Sequence, residues 1–148
     1  MREENELDPV VRVGGDRYRT ISMRFHQLTR SFPEHDDAMR DFLVTAQGES
    51  ARIEVVVRTW DGDGLDAFLA ELAEGFRGWN GTRTWRSLEG DLTLAAEHAE
   101  SHVRLTWGLH DRLPDDEWRF EMTTIHAPGE DMRSLAIEMR TFLESDPL

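Results

Sequence analysis

The sequence predicts an α+β fold: a two-layer sandwich with a curved antiparallel sheet and two helices on one of its faces, built from a βββα unit used twice. Three observations predict it. Segments whose hydrophobicity alternates with period two are separated by turn signals. Two stretches carry apolar residues at helical spacing and open alike, Gly62-Asp63-Gly64-Leu65 and Gly129-Glu130-Asp131-Met132. Those stretches correspond at an offset of about 67 positions, which sets Phe68, Leu69 and Leu72 on Leu135, Ala136 and Met139.

Each element has a local reason. Residues 1–9 form an acidic lead, expected to be flexible and to end at Pro9. Val10 to Val13 reads as a short edge strand, and Gly14-Gly15-Asp16 as a turn. From Tyr18 to Leu28 the chain alternates, with Ile21, Met23 and Phe25 on one side and Ser22, Arg24 and His26 on the other. Pro33 and its acidic neighbours mark a loop. Ala38–Ala46 and Ala51–Trp60 are two further strands, joined through Gln47-Gly48-Glu49-Ser50. Asp63 is suited to cap a helix lined by Leu65, Phe68, Leu69, Leu72 and Phe76, with Gly78 as its stop. The second half repeats this plan: strands over Asp91–His98, His102–His110 and Glu117–His126, then a helix lined by Met132, Leu135, Ala136, Met139, Phe142 and Leu143. The connections are short, so the strand pairs are antiparallel. The sheet face away from the helices is expected to be open and polar, carrying Arg52, Glu54, Arg58, Glu97, His102, Arg104, Arg119 and Glu121.

Composition narrows the function. A chain of 148 residues with five Trp and seven Phe can bury a core and reads as one domain, 1–148. Thirty acidic residues against seventeen basic ones give a net charge of −13. Such a chain lacks the phosphate-neutralising surface that nucleic-acid binding requires, and its field repels anionic membranes while attracting basic partners. The same charge also serves solubility. Every basic residue is Arg, and there is no Cys, so disulfide and thiolate chemistry are absent. Residues 1–6 lack the pattern of a signal peptide and no apolar run has membrane-spanning length, so the expected location is the cytoplasm.

Catalytic constellations are scarce. Glu97-His98-Ala99-Glu100-Ser101-His102 has zinc-ligand chemistry, but strand phase sends His98 inward with Leu92 and Leu94, and His102 outward. Asp61-Gly62-Asp63-Gly64-Leu65-Asp66 starts like a calcium loop, yet an EF-hand's fifth, sixth and twelfth positions fall on Leu65, Asp66 and Leu72. No Gly-x-Ser-x-Gly elbow is present, and no glycine-rich phosphate loop follows a strand. No cofactor or metal is expected, and an enzyme is disfavoured.

The segment from Phe76 to Arg86 departs from its acidic surroundings. It gathers Arg77, Arg83, Arg86, Trp79 and Trp85. Two readings stand: an interface rich in Trp and Arg, or two indoles filling the seam between the halves with Arg stems packed over them. Phe76-Arg77-Gly78-Trp79, Trp85-Arg86-Ser87-Leu88-Glu89, Leu92-Thr93-Leu94, His98, His102-Val103-Arg104-Leu105 and Pro128-Gly129-Glu130 together resemble a small bacterial family of unknown function, domain of unknown function 6228. That resemblance covers most of the chain after about Phe25 and implies the domain plan without an activity. In strand order and acidity the chain is also distantly similar to immunity proteins of polymorphic toxin systems, including the WapI-associated type. The expectation is a non-catalytic protein-binding module, an immunity protein that neutralises a basic toxin. The alternative is a small-molecule binder or enzyme with a pocket between sheet and helices, near the inward His98 and His126. The candidate binding residues are Asp115, Asp116 and Glu117, then Trp79, Arg83, Arg86, His102 and Arg104.

Overall fold

The computed structural model describes residues 8–15, 20–111, 114–115 and 117–148. Most of the expected acidic lead, Tyr18 at the start of the second expected strand, and Asp116 lie outside the described residues. The first half contains β1 (Val11–Gly14), β2 (Ser22–Arg30), β3 (Met39–Gln47), β4 (Arg52–Trp60) and α1 (Leu65–Glu74). The second contains β5 (Thr82–Arg86), β6 (Leu92–Ala99), β7 (His102–His110), β8 (Arg119–His126) and α2 (Glu130–Leu143). All strand pairs are antiparallel, in two four-stranded sheets ordered β1-β2-β3-β4 and β5-β6-β7-β8. The expected α+β architecture is present, with one strand more per half than the βββα unit: β1 in the first and β5 in the second. The unit is therefore ββββα. The strands also form two hydrogen-bonded sheets, which adjoin where β1 meets β8.

Both helices lie on the inner side of the strands. Met23, Phe25, Phe42 and Val44 of the first sheet and Leu94, Leu105, Trp107 and Leu109 of the second are buried there with Leu65, Leu69, Leu72, Met132, Met139 and Phe142. The inner faces converge strongly enough for Phe25 to meet Trp107 edge to face, with ring centroids 5.6 Å apart. Such a contact adds about 1 kcal/mol beyond the area it buries. A bulge between His26 and Thr29 puts one extra residue into β2, with Gln27 at φ 53°, so that Phe25 and Leu28 both turn inward.

Several local expectations change. Asp63 does not cap α1; Gly64, at φ 76°, precedes the helix. A 3₁₀ turn over Asp61–Gly64 comes first, and the Asp63 carboxylate holds two other amides. One oxygen accepts from Trp60 N at 3.0 Å, the other from Leu88 N at 2.7 Å. The Asp63 carbonyl also accepts from Trp85 Nε1 at 2.8 Å. One residue thus ties the end of β4 to β5 and its following turn. The helix ends at Glu74, with Gly75 capping it, so Phe76 leaves the apolar stripe and is 51% exposed.

The repeat is legible in three dimensions. A Cβ at Gly62 would meet Leu143 Cδ1 at 2.8 Å, and one at Gly129 would face Phe76 Cβ at 3.8 Å. Gly62 and Gly129 correspond between the halves, as do Phe76 and Leu143. Each helix start therefore faces the helix end of the other half, and the helices run antiparallel. Asp66 and Arg140, 3.7 Å apart, join the same two ends.

Gly62 and Gly64 separate two kinds of cost. Both have positive φ, at 81° and 76°, but a Cβ at Gly64 meets nothing within 4 Å. Gly64→Ala is expected to cost about 1 kcal/mol of backbone strain, and Gly62→Ala roughly 2–4 kcal/mol because it also overlaps a core leucine. Denaturant unfolding of the two variants measures the difference.

Candidate functional site

The outer face of the second sheet is open, and register decides which side chains share it. Arg86 lies beside Thr93, Thr93 beside Gly108, and Gly108 beside Glu121, forming one row across all four strands. The next row is Thr84, Ala95, Thr106 and Thr123. His110 pairs with Arg119 at the end of the sheet. Among them, Arg86, Thr93, Thr84, Thr106, His110, Arg119 and Glu121 line a groove of about 430 Å³.

Gly108 shapes the groove floor. A Cβ there would stand 2.4 Å from both His110 Nε2 and Thr93 Oγ1, so only glycine lets the imidazole fold back over the strand. His110 is consequently 5% exposed although it faces outward. Arg119 Nε donates to His110 Nδ1 at 3.1 Å, which makes Nδ1 an acceptor and gives the proton to Nε2. His110 Nε2 then donates to Thr93 Oγ1 at 2.6 Å. The chain Arg119, His110, Thr93 is thereby fixed in one orientation.

The duplication repeats part of this pattern. Arg52-Ile53-Glu54 opens β4 as Arg119-Phe120-Glu121 opens β8. Arg52 Nη1 donates to Gln47 Oε1 across the first sheet, as Arg119 donates to His110 across the second. Behind Arg52, Thr45 donates its hydroxyl proton to Glu54 at 2.7 Å, so His26 Nε2, 2.9 Å from Thr45 Oγ1, is the donor. That direction is opposite to nucleophile activation, where the imidazole accepts from the hydroxyl.

The expected site residues are distributed over several places. Asp115 and Glu117 are exposed on the β7–β8 loop. The loop is closed by Asp111, whose backbone N donates to Trp118 O at 3.1 Å and whose carboxylate accepts from Glu117 N at 3.2 Å. Trp118, within the expected strand Glu117–His126, precedes β8 and is 43% exposed. Arg86 sits on the groove rim on the same face. His102 and Arg104 are on this face too, toward the opposite end of β7. Trp79 and Arg83 are together elsewhere: the Arg83 guanidinium lies 4.6 Å from the Trp79 ring centroid, Trp79 meets His98 edge to face, and its indole N–H donates to Ala96 O at 3.4 Å. Trp85 does sit in the seam, through its bond to Asp63. The indoles of this segment thus pack, while Arg83 and Arg86 remain exposed.

His98 and His102 occupy opposite faces, as strand phase requires, because His98 lies beside the buried Val103 and stacks on Trp79. Among the described residues, no group of three or more His, Asp or Glu is placed to hold a metal ion. Among the described residues, no helix is long and apolar enough to cross a membrane.

A second cavity lies where β1, β8 and α2 meet. It measures about 270 Å³ and is lined in part by Arg12, His126, Asp131, Ser134 and Glu138. Here Trp107 Nε1 donates to Thr124 Oγ1 at 2.9 Å, and Thr124 Oγ1 is 2.7 Å from His126 Nε2. Asp131 Oδ2 stands 3.6 Å from His126 Nδ1. Hydroxyl, imidazole and carboxylate occur in the order of an activated nucleophile. Yet Thr124 is 7% exposed and its oxygen already serves a buried indole, while the carboxylate is beyond hydrogen-bond range of the ring. The first duty of Thr124 is to satisfy Trp107.

The profile of the family described as Family of unknown function (DUF6228) matches residues 15–146. The chain belongs to that family. Neither the curated proteins nor the solved structures contain a match to it.

The groove floor yields a direct test. Gly108→Ala is expected to displace His110, break its bond to Thr93 and cost about 1–3 kcal/mol. Nitrogen-detected imidazole spectra report the loss of the single Nε2–H tautomer, and denaturant unfolding reports the cost.

Proposed function

We propose that this chain is a non-catalytic binding protein that meets a basic protein partner through the β7–β8 loop and the adjoining groove of the second sheet. The observation that carries this reading is Trp118. An indole 43% exposed stands beside the exposed carboxylates of Asp115 and Glu117, on a loop whose ends Asp111 closes. Exposed tryptophan is the residue type most enriched among interface hot spots, and the surrounding charge suits a cationic partner. The net charge of −13 adds long-range attraction. The locked chain from Arg119 to Thr93 supports recognition, because side chains already fixed lose little entropy on binding. Neutralisation of a basic toxin is the physiological form of this function we favour.

One observation favours a second reading, binding of a small molecule between sheet and helix. The 270 Å³ cavity holds one half-buried imidazole, His126, among Arg12, Asp131 and Glu138. A ligand seated there would shift the His126 and Ser134 resonances and leave Trp118 fluorescence unchanged.

For the first reading, the partner retained from the native cell extract is expected to be basic. Its association rate should fall about tenfold between low and physiological salt, since screening acts on the encounter. Reversing Asp115 and Glu117 should slow association more than Arg83→Ala does. Trp118→Ala should cost roughly 2 kcal/mol of affinity, mainly through faster dissociation. A partner with an acidic surface, or a rate indifferent to salt, refutes the reading.

A further inference from the structure

The β4 strand has β3 on one side and, among the described residues, no strand on the other. Hydrogen-bond phase shows what that free edge offers. Asp61 N donates to Ala38 O at 2.8 Å, extending the ladder in which Trp60 lies opposite Met39. In an antiparallel ladder, alternate residues direct both backbone groups to the same neighbour. Thr59, Val57, Val55 and Ile53 therefore bond to β3, while Arg52, Glu54, Val56, Arg58 and Trp60 face the open edge. The Trp60 N–H fits this phase, since it points away from β3 and is taken by the Asp63 carboxylate.

The edge-facing residues form a self-complementary series. We infer that β4 pairs antiparallel with β4 of a second copy of this chain, centred on Val56, so that the first sheet continues across a twofold axis. In this register Val56 faces Val56, Glu54 faces Arg58 of the other copy twice, and Arg52 faces Trp60 of the other copy twice. Centring on Glu54 or on Arg58 sets like charges face to face, centring on Val55 opposes Arg52 to Arg58, and centring on Val57 sets Glu54 against Trp60 and Arg58 against Val56, without an opposite charge. Opposite charges directly across a strand pair stabilise it and like charges oppose it, so the side chains select one register.

Three further observations point to the same occupant. Val56 is 45% exposed and Trp60 56% exposed, while the inward-facing Ile53 and Val55 are only half-buried, so apolar surface is left uncovered along this edge. Nine regular residues rich in Val make a long edge, and its pattern lacks the proline or bulge that usually protects one. Arg58 is already held in place: its Nε and Nη2 reach the Asp41 carboxylate at 2.9 and 3.2 Å. That hydrogen bond leads the influences that raise its pKa, ahead of the opposing desolvation and the charges of Asp41 and Glu89. Pairing would extend the alternation Asp41, Arg58, Glu54, Thr45 across the axis.

The test uses the whole chain. Sedimentation equilibrium is expected to show a species of twice the 17.1 kDa chain mass at micromolar concentration. Val56→Pro removes an edge-facing N–H without touching the β3 ladder, and should give a monomer with an unchanged far-UV spectrum. Glu54→Arg should raise the dimer dissociation constant at least tenfold. Amide exchange of the unaltered chain needs no variant: Glu54, Val56 and Arg58 should be protected at high concentration and lose protection on dilution. A chain that stays monomeric at hundreds of micromolar, a natively folded Val56→Pro variant that still dimerises, or exchange at those three amides that is indifferent to concentration overturns the inference.

Discussion

The two helices pack antiparallel along one another, and the rest of the molecule depends on that contact. At ten and fourteen residues neither helix is long enough to persist alone in water. Each becomes stable by burying an apolar stripe in the core that both halves share. The close Gly62–Leu143 approach sets how near the start of α1 comes to the end of α2, and Gly129 faces Phe76 at the other end. Once the ends are set, the Asp63 carboxylate fixes β4 relative to the turn after β5. The concave face then closes until Phe25 reaches Trp107.

Polar groups, several of them buried, are joined in short chains that reach the outer face. Trp107, Thr124 and His126 form one, and Arg119, His110 and Thr93 another; His26, Thr45, Glu54 and Arg52 make a third. A threonine hydroxyl links the members of the first and third, and the His110 imidazole those of the second. Such chains exclude alternative rotamers, because any displaced member leaves a desolvated donor or acceptor behind. The outer face is therefore stiff where the strands cross it, and the loop bearing Asp115, Glu117 and Trp118 projects from a rigid base.

Much of this was legible in the sequence, and the exceptions have physical causes. The helix starts were readable because Gly62 and Gly129 need positive φ and precede similar apolar stripes. The faces of β3, β4 and β7 followed from alternation. β5 was missed because four of its five residues are exposed, so Thr82-Arg83-Thr84-Trp85-Arg86 shows no two-sided contrast. Trp118 shares the phase of Phe120, but it precedes β8 on the loop that Asp111 closes, and its side chain is 43% exposed there. The groove could not be read at all. Arg86, Thr93, Gly108 and Glu121 become neighbours only through register, which periodicity leaves open. The glycine at 108 was the available signal, since a glycine inside a strand marks close approach of another group.

The crossed contacts between glycine and helix end bear on descent. Each half supplies the socket for the other's helix, so a half-length ancestor obeying the same rules would close only by meeting a second molecule of itself. Joining two such molecules through the segment after α1 turns an intermolecular contact into a core. It also frees the two copies to diverge, since symmetry no longer forces a change in one upon the other. The outer faces differ in this way: where the first sheet has Thr45 and Gln47, the second carries Gly108 and His110, the latter lining its groove.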